Sequence, residues 1–107
     1  MERHGQLIKV KPDKLEKYKE LHDDVWEGVL ETLKECNVEN YSIFHKDGYL
    51  FAYFEYTGDD FEADMEKMAE DQTTQEWWDV TKPLQEPLDS REEGEWWAEM
   101  EEVFHMD

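Results

Sequence analysis

The chain has 107 residues, 30 acidic against 11 basic, and a formal net charge of −19 at pH 7. A field of that sign repels nucleic acid and anionic membranes, and disfavours phosphorylated ligands where no basic cluster opposes it. The length allows one core, expected as a single domain over residues 1–107, and 14% aromatic residues argue against disorder despite a mean hydropathy of −1.01.

A neutral small molecule is the compatible ligand. Dense carboxylate also suits a salt-rich cytoplasm, where screening relieves self-repulsion, although nine of the eleven basic residues are lysines as in ordinary proteins. Cys36 has no second cysteine to pair with and reads as a small buried residue. The start, MERHGQLIKV, lacks the apolar run of a signal peptide, and no stretch approaches the ~18 apolar residues of a membrane span. The expectation is a soluble, cytoplasmic protein.

Residues 4–10 read as a strand, with Ile8 and Val10 on one side and Leu7 on the other. Pro12 suits a helix start, and the pattern predicts one helix from there to about Cys36, stopped by Asn37. Leu15, Tyr18, His22, Val25, Trp26, Val29 and Leu33 recur at three- and four-residue steps and form its apolar face. Tyr18 and His22 lie one turn apart on that face, near enough to serve one pocket. Spacing alone favours a plainer reading, a core histidine paired by a hydrogen bond. Gly28 interrupts the helix at a cost of ~1 kcal/mol against alanine, which fits a close approach to the backbone.

Two strands follow, Glu39 to His45 and Tyr49 to Tyr56, joined through Lys46-Asp47-Gly48; Asp-Gly is a strong hairpin signal. In YLFAYFEY both faces are apolar, where a sheet wetted on one side would alternate. One face can pack on the chain's own helices, so the other needs a second cover. That predicts a homodimer joined sheet to sheet, with a ligand cavity on the open side.

Asp59 or Asp60 can cap a second helix whose apolar side is Phe61, Met65, Met68 and Ala69. Thr73 to Glu76 carries a T-x-x-E capping box, marking a fresh start at 71–73, and Pro83 ends that helix. Of the adjacent Trp77 and Trp78, one is expected in the core and one toward a pocket, since helix neighbours point about 100° apart. Residues 85–99 read as an extended arm, with Trp96 and Trp97 clamping it or a partner chain. MEEVFHM, residues 100–106, reads as a last strand. The order β-α-β-β-α-β is the ferredoxin-like α+β arrangement of dimeric α/β barrels.

An indole beside tyrosine hydroxyls suits the apolar face of a sugar. The four histidines show no H-x-x-x-H or HExxH spacing and no CxxC is present, so no metal is expected. There is no glycine-rich phosphate loop or nucleophile elbow.

Tyr18-x-x-x-His22, Val25-Trp26, Asn40-Tyr41-Ser42-Ile43-Phe44, Trp77-Trp78, Gln85-Glu86-Pro87 and Gly94-Glu95-Trp96-Trp97 occur in order. With the ending Met100 to His105, they resemble the L-rhamnose mutarotase family over nearly the whole chain. The resemblance implies a dimeric, cofactor-free enzyme that interconverts the anomers of a 6-deoxyhexose. It implies His22 as proton donor, with Tyr18, Tyr41, Trp77 and Trp78 lining the sugar site. Two positions depart: Glu27 stands where proline is common, and Leu21 where arginine is often found. The second removes a nearby positive charge and is expected to raise the His22 pKa relative to other members. Mutarotation also needs a partner for the histidine, for which Glu102, Glu86, Asp23 or a tyrosine-held water are open choices. The competing classes are a cofactor-free monooxygenase or haem-binding relative of the same fold, and a noncatalytic metabolite sensor.

Overall fold

The computed structural model describes residues 1–107. Its strands are β1 (Glu2–Val10), β2 (Val38–Lys46), β3 (Tyr49–Tyr56), β4 (Gln85–Glu86) and β5 (Ala98–Met100), with helices α1 (Leu15–Asp23), α2 (Glu27–Glu35), α3 (Phe61–Glu70) and α4 (Gln72–Thr81). The sheet runs β2-β3-β1-β4, antiparallel throughout, with β5 also on β1. This is the ferredoxin-like order. No helix is long and apolar enough to cross a membrane.

Local chemistry sets most boundaries. Asp47 and Gly48 both have positive φ, 53° and 82°, which closes a two-residue hairpin between Lys46 and Tyr49. Asn37, at φ 66°, stops α2 in the left-handed conformation that asparagine tolerates. The Asp60 carboxylate accepts from the Ala63 N–H at 3.1 Å and caps α3.

The long helix read over 12–36 is three pieces. Pro12–Lys14 is a 3-10 turn, α1 ends at Asp23, and α2 begins at Glu27 after an extended Trp26 (φ −56°, ψ 132°). Two aspartates, 23 and 24, sit where the negative end of the helix dipole penalises them, which favours termination there. The T-x-x-E box is not used either. Asp71 caps α4 instead, accepting from both the N–H and the hydroxyl of Thr74 at 2.9 Å. Thr73 lies under Gly28: a Cβ there would meet the Thr73 methyl at 2.9 Å, so α2 and α4 touch through the glycine.

The fourth strand also differs from expectation. β4 pairs with Lys9 and Val10, β5 with Gly5 to Leu7, and residues 87–97 leave the sheet between them in turns rather than as an extended arm. The strand expected over 100–106 is confined to 98–100. Continuing its register puts Glu102 beside Arg3, where the two form a 2.9 Å ion pair, and Val103 beside Glu2, the first residue of β1. Val103, Phe104 and Met106 are exposed.

Two apolar clusters lie under the helices. One holds Ile8, Val10, Tyr18, Leu50 and Leu84; the other holds Cys36, Val38, Phe54 and Met68. Cys36 is a free, fully buried residue, and burial pushes its thiol pKa up. The site lies between these clusters.

Candidate active site

Helix α1 supplies the site's histidine. His22 Nδ1 lies 2.8 Å from the Tyr18 carbonyl oxygen one turn back. A carbonyl only accepts, so Nδ1 carries the hydrogen, and a neutral ring keeps its lone pair on Nε2. Nε2 has no hydrogen-bond partner within the chain. The ring stacks on Tyr18 at 4.2 Å and meets the Trp77 edge at 5.3 Å, and Trp77 in turn meets Trp26 at 5.2 Å. Desolvation by these rings lowers the His22 pKa, against the smaller upward pull of the Tyr18 carbonyl. With Leu21 beside it instead of a cation, burial governs the ring, which is the neutral, proton-accepting species at pH 7.

Tyr41 reaches the same space through a bulge. β2 and β3 shift register between Glu39 and Ser42, and Asn40 takes up the extra residue at φ 49°. In a regular strand without the bulge, alternation would send Tyr41 to the face shared by Glu39. With it, Tyr41 joins Val38 and Ile43 on the helix-covered face and packs on Phe54 at 5.5 Å. Desolvation pushes its phenol up to about 12.

Opposite α1, α4 and the segment after it form a second wall. Trp77 is buried and Trp78 partly so, and both line the cavity. Lys82, one turn past Trp78, holds its ammonium 5.1 Å from the Trp78 ring centre and 5.3 Å from that of Trp96. Gln85, 5% exposed, accepts from Trp96 Nε1–H at 2.8 Å and donates to the Tyr18 hydroxyl at 3.3 Å. The Tyr18 oxygen thus has its donor, and its own hydrogen is free for a ligand. Burial, then the neighbouring Tyr41, raises the Tyr18 pKa strongly, so the phenol stays protonated. Trp96 and Trp97, read from sequence as clamps on an arm or partner, fold back on their own chain and line this cavity.

The cavity measures about 270 Å³, small beside the ~300–1,000 Å³ of drug-sized sites. It brings together Tyr18, His22, Tyr41, Trp77 and Trp78, the five residues that the family resemblance implied. It lies between sheet and helices rather than on the open face, lined by residues of α1, α2, α3 and α4 above and of β1, β2 and β3 below. None of Glu102, Glu86 or Asp23 lines it. Glu102 is held by Arg3 at 2.9 Å, and all three are exposed. No carboxylate is in the lining, and Lys82 is its one ammonium. Gln6, Lys82 and Gln85 were missed as site residues. The Trp78–Lys82 spacing of four was a usable signal for one of them.

A model of the L-rhamnose mutarotase family matches residues 3–106. The chain is 34% identical to the L-rhamnose mutarotase of Oceanobacillus iheyensis and 35% to that of Bacillus subtilis, each over the full length of both chains. The crystal structure of an L-rhamnose mutarotase from Formosa agariphila superposes with a TM-score of 0.79 at 28% identity, covering all of both chains. Tetracenomycin F2 cyclase of Streptomyces glaucescens, a type-II polyketide cyclase, shares the fold at a TM-score of 0.71 and 16% identity, again over both full chains. With the Tyr18–His22 turn, the Tyr41 bulge and the Trp77-Trp78 wall converging on one cavity, the chain belongs to the L-rhamnose mutarotase family.

Proposed function

We propose that residues 1–107 act as one cofactor-free isomerase domain that interconverts the α and β anomers of L-rhamnose. The observation that carries this reading is the bare Nε2 of His22 at the wall of a small, aromatic, carboxylate-free cavity. A neutral pyranose has apolar C–H faces for Trp77 and Trp78, and hydroxyls for Tyr18 and Tyr41. As Nε2 takes the proton of the anomeric hydroxyl, the C1–O5 pair returns to the ring oxygen, which gains a proton of its own. The aldehyde turns about C1–C2, O5 adds to its other face, and both transfers reverse. His22 is thus base on opening and, as imidazolium, donor on closing, the donor role implied by the family resemblance being half of its cycle. Positioned acid–base groups contribute ~10²–10⁴-fold to such a step.

Saturation transfer between the two anomeric protons of L-rhamnose tests this directly. Wild-type protein is expected to speed the exchange and His22→Ala to lose that effect by at least ~10²-fold. Wild-type protein that leaves the spontaneous rate unchanged overturns the reading; an unimpaired His22→Ala overturns the role of His22.

The same proposal includes a homodimer formed through the open sheet face, where Phe44 is 64% exposed and Tyr49 and Phe51 39% each. Light scattering is expected to give twice the chain mass, and Phe51→Asp to give the monomer. A monomeric wild type would remove this part.

A further inference from the structure

Ring opening leaves a second proton to be accounted for, the one that O5 receives, and the carboxylates that sequence put forward stand outside the cavity. We infer that Lys82 is the acid: clamped between Trp78 and Trp96, its ammonium delivers a proton to the ring oxygen as His22 removes one from the anomeric hydroxyl. This rests on the mutarotase reading.

Four observations carry it. Lys82 is the only ammonium in a lining that contains no carboxylate, in a chain with 30 acidic residues, so no acidic side chain of the lining competes for its charge. It forms no ion pair. Two indole rings at 5.1 and 5.3 Å fix the ammonium through their negative faces, and rings take no proton away. The clamp is itself tied to the site: Trp96 donates to Gln85, and Gln85 donates to the Tyr18 hydroxyl, on the residue whose carbonyl orients His22. One network therefore spans the base on α1 and the ammonium just past α4.

The transfer balances. The C1–O5 bond breaks with its electron pair going to oxygen, Lys82 gives that oxygen a proton and becomes a neutral amine, and His22 becomes imidazolium. One positive charge passes from lysine to histidine across the cavity, with no net change. On closing, the new ring oxygen returns its proton to the amine and the imidazolium reprotonates O1. An alkylammonium is a far stronger acid than an alcohol, so protonation of a nascent alkoxide by lysine runs downhill. Tyr18, with its raised pKa, donates a hydrogen bond but is a poor proton source.

Two variants test the assignment by anomer-exchange NMR across L-rhamnose concentrations. Lys82→Arg keeps a cation that stacks between indoles but does not surrender a proton. Its kcat is expected to fall at least tenfold with KM within about threefold of wild type. Lys82→Met keeps an unbranched stem and removes the charge, and its kcat is expected to fall ~10²-fold. Wild-type kcat in Lys82→Arg overturns proton delivery by lysine, whatever Lys82→Met does. This variant retains the clamp, so loss of fold does not cloud it. If wild-type protein itself fails to exchange the anomers, the mutarotase reading fails first. If wild type is active and both variants match it, only the assignment to Lys82 fails.

Discussion

Along β3, Leu50, Ala52, Phe54 and Tyr56 lie beneath the helices and are at most 5% exposed, while Tyr49 and Phe51, one residue away, are 39% exposed. The two faces are similarly apolar, and what separates them is cover. The inner face meets helices of its own chain, and there the dielectric drops and an imidazole stays neutral. The outer face meets none, and is the surface proposed above for a second copy. Apolar alternation thus marks where a strand can be buried, and only the covering elements decide which side becomes a site.

The sharpest break of this contrast is a pair of truncations. Phe54→Ala is expected to cost about 3–5 kcal/mol of unfolding free energy. Phe51→Ala should cost within about 0.5 kcal/mol at concentrations where the chain is monomeric. Urea unfolding at two protein concentrations measures both, and equal losses would erase the distinction between the faces.

The second probe is pH. Because burial depresses the His22 pKa, the neutral base persists below the usual imidazole range, and exchange activity should hold from neutrality downward until that lowered pKa is crossed. The linked stability has the same sign. Between the folded and unfolded pKa values the unfolded chain binds more protons, so the His22 contribution is full above the unfolded value near 6.5 and lost as pH falls through the folded one. A rate that begins falling above pH 7 would contradict a neutral, desolvated base.

Asn40 offers a milder perturbation. A β-branched residue at φ 49° pays roughly 1–2 kcal/mol for the left-handed backbone. Asn40→Val should therefore lower the melting midpoint and, by loosening the aim of Tyr41, raise KM more than it lowers kcat. An unchanged KM would mean that Tyr41 does not contact the sugar.

Gly28→Ala should destabilise by under about 1 kcal/mol, the helix-propensity gain partly offsetting the clash with Thr73. In a Thr73→Ser background the same change should stabilise, because the opposing methyl is gone. Smallest of all, KCl should raise the melting midpoint by screening the carboxylates, all of which lie outside the cavity lining, with little change in activity per folded molecule.

Patterns short enough to be local were legible in the sequence. Asp47-Gly48, Asn37 and Asp60 each act within a turn of themselves, and the order of elements followed from them. The break at 24–26 was harder to see, because the apolar spacing runs straight through it. Glu27 occupies the first position of α2, where a proline would have announced a new helix. The bulge at Asn40 was invisible to alternation, since one added residue reverses every assignment before it. The five site residues carried over from the family were found together, but their neighbours were not: Gln85 and Trp96 meet through a hydrogen bond between residues flanking a turn-rich excursion, and no local spacing encodes it.

That excursion, residues 87–97, has a consequence for how such enzymes diverge. The flanking pieces β4 and β5 keep the edge of β1 occupied on either side of it, and its length is set by neither. Insertions or exchanges there would redraw the wall carrying Trp96 and Trp97 while the histidine wall stays fixed. The indole wall that clamps Lys82 and the helix that carries the histidine are in this way housed on separable parts, free to change at different tempos.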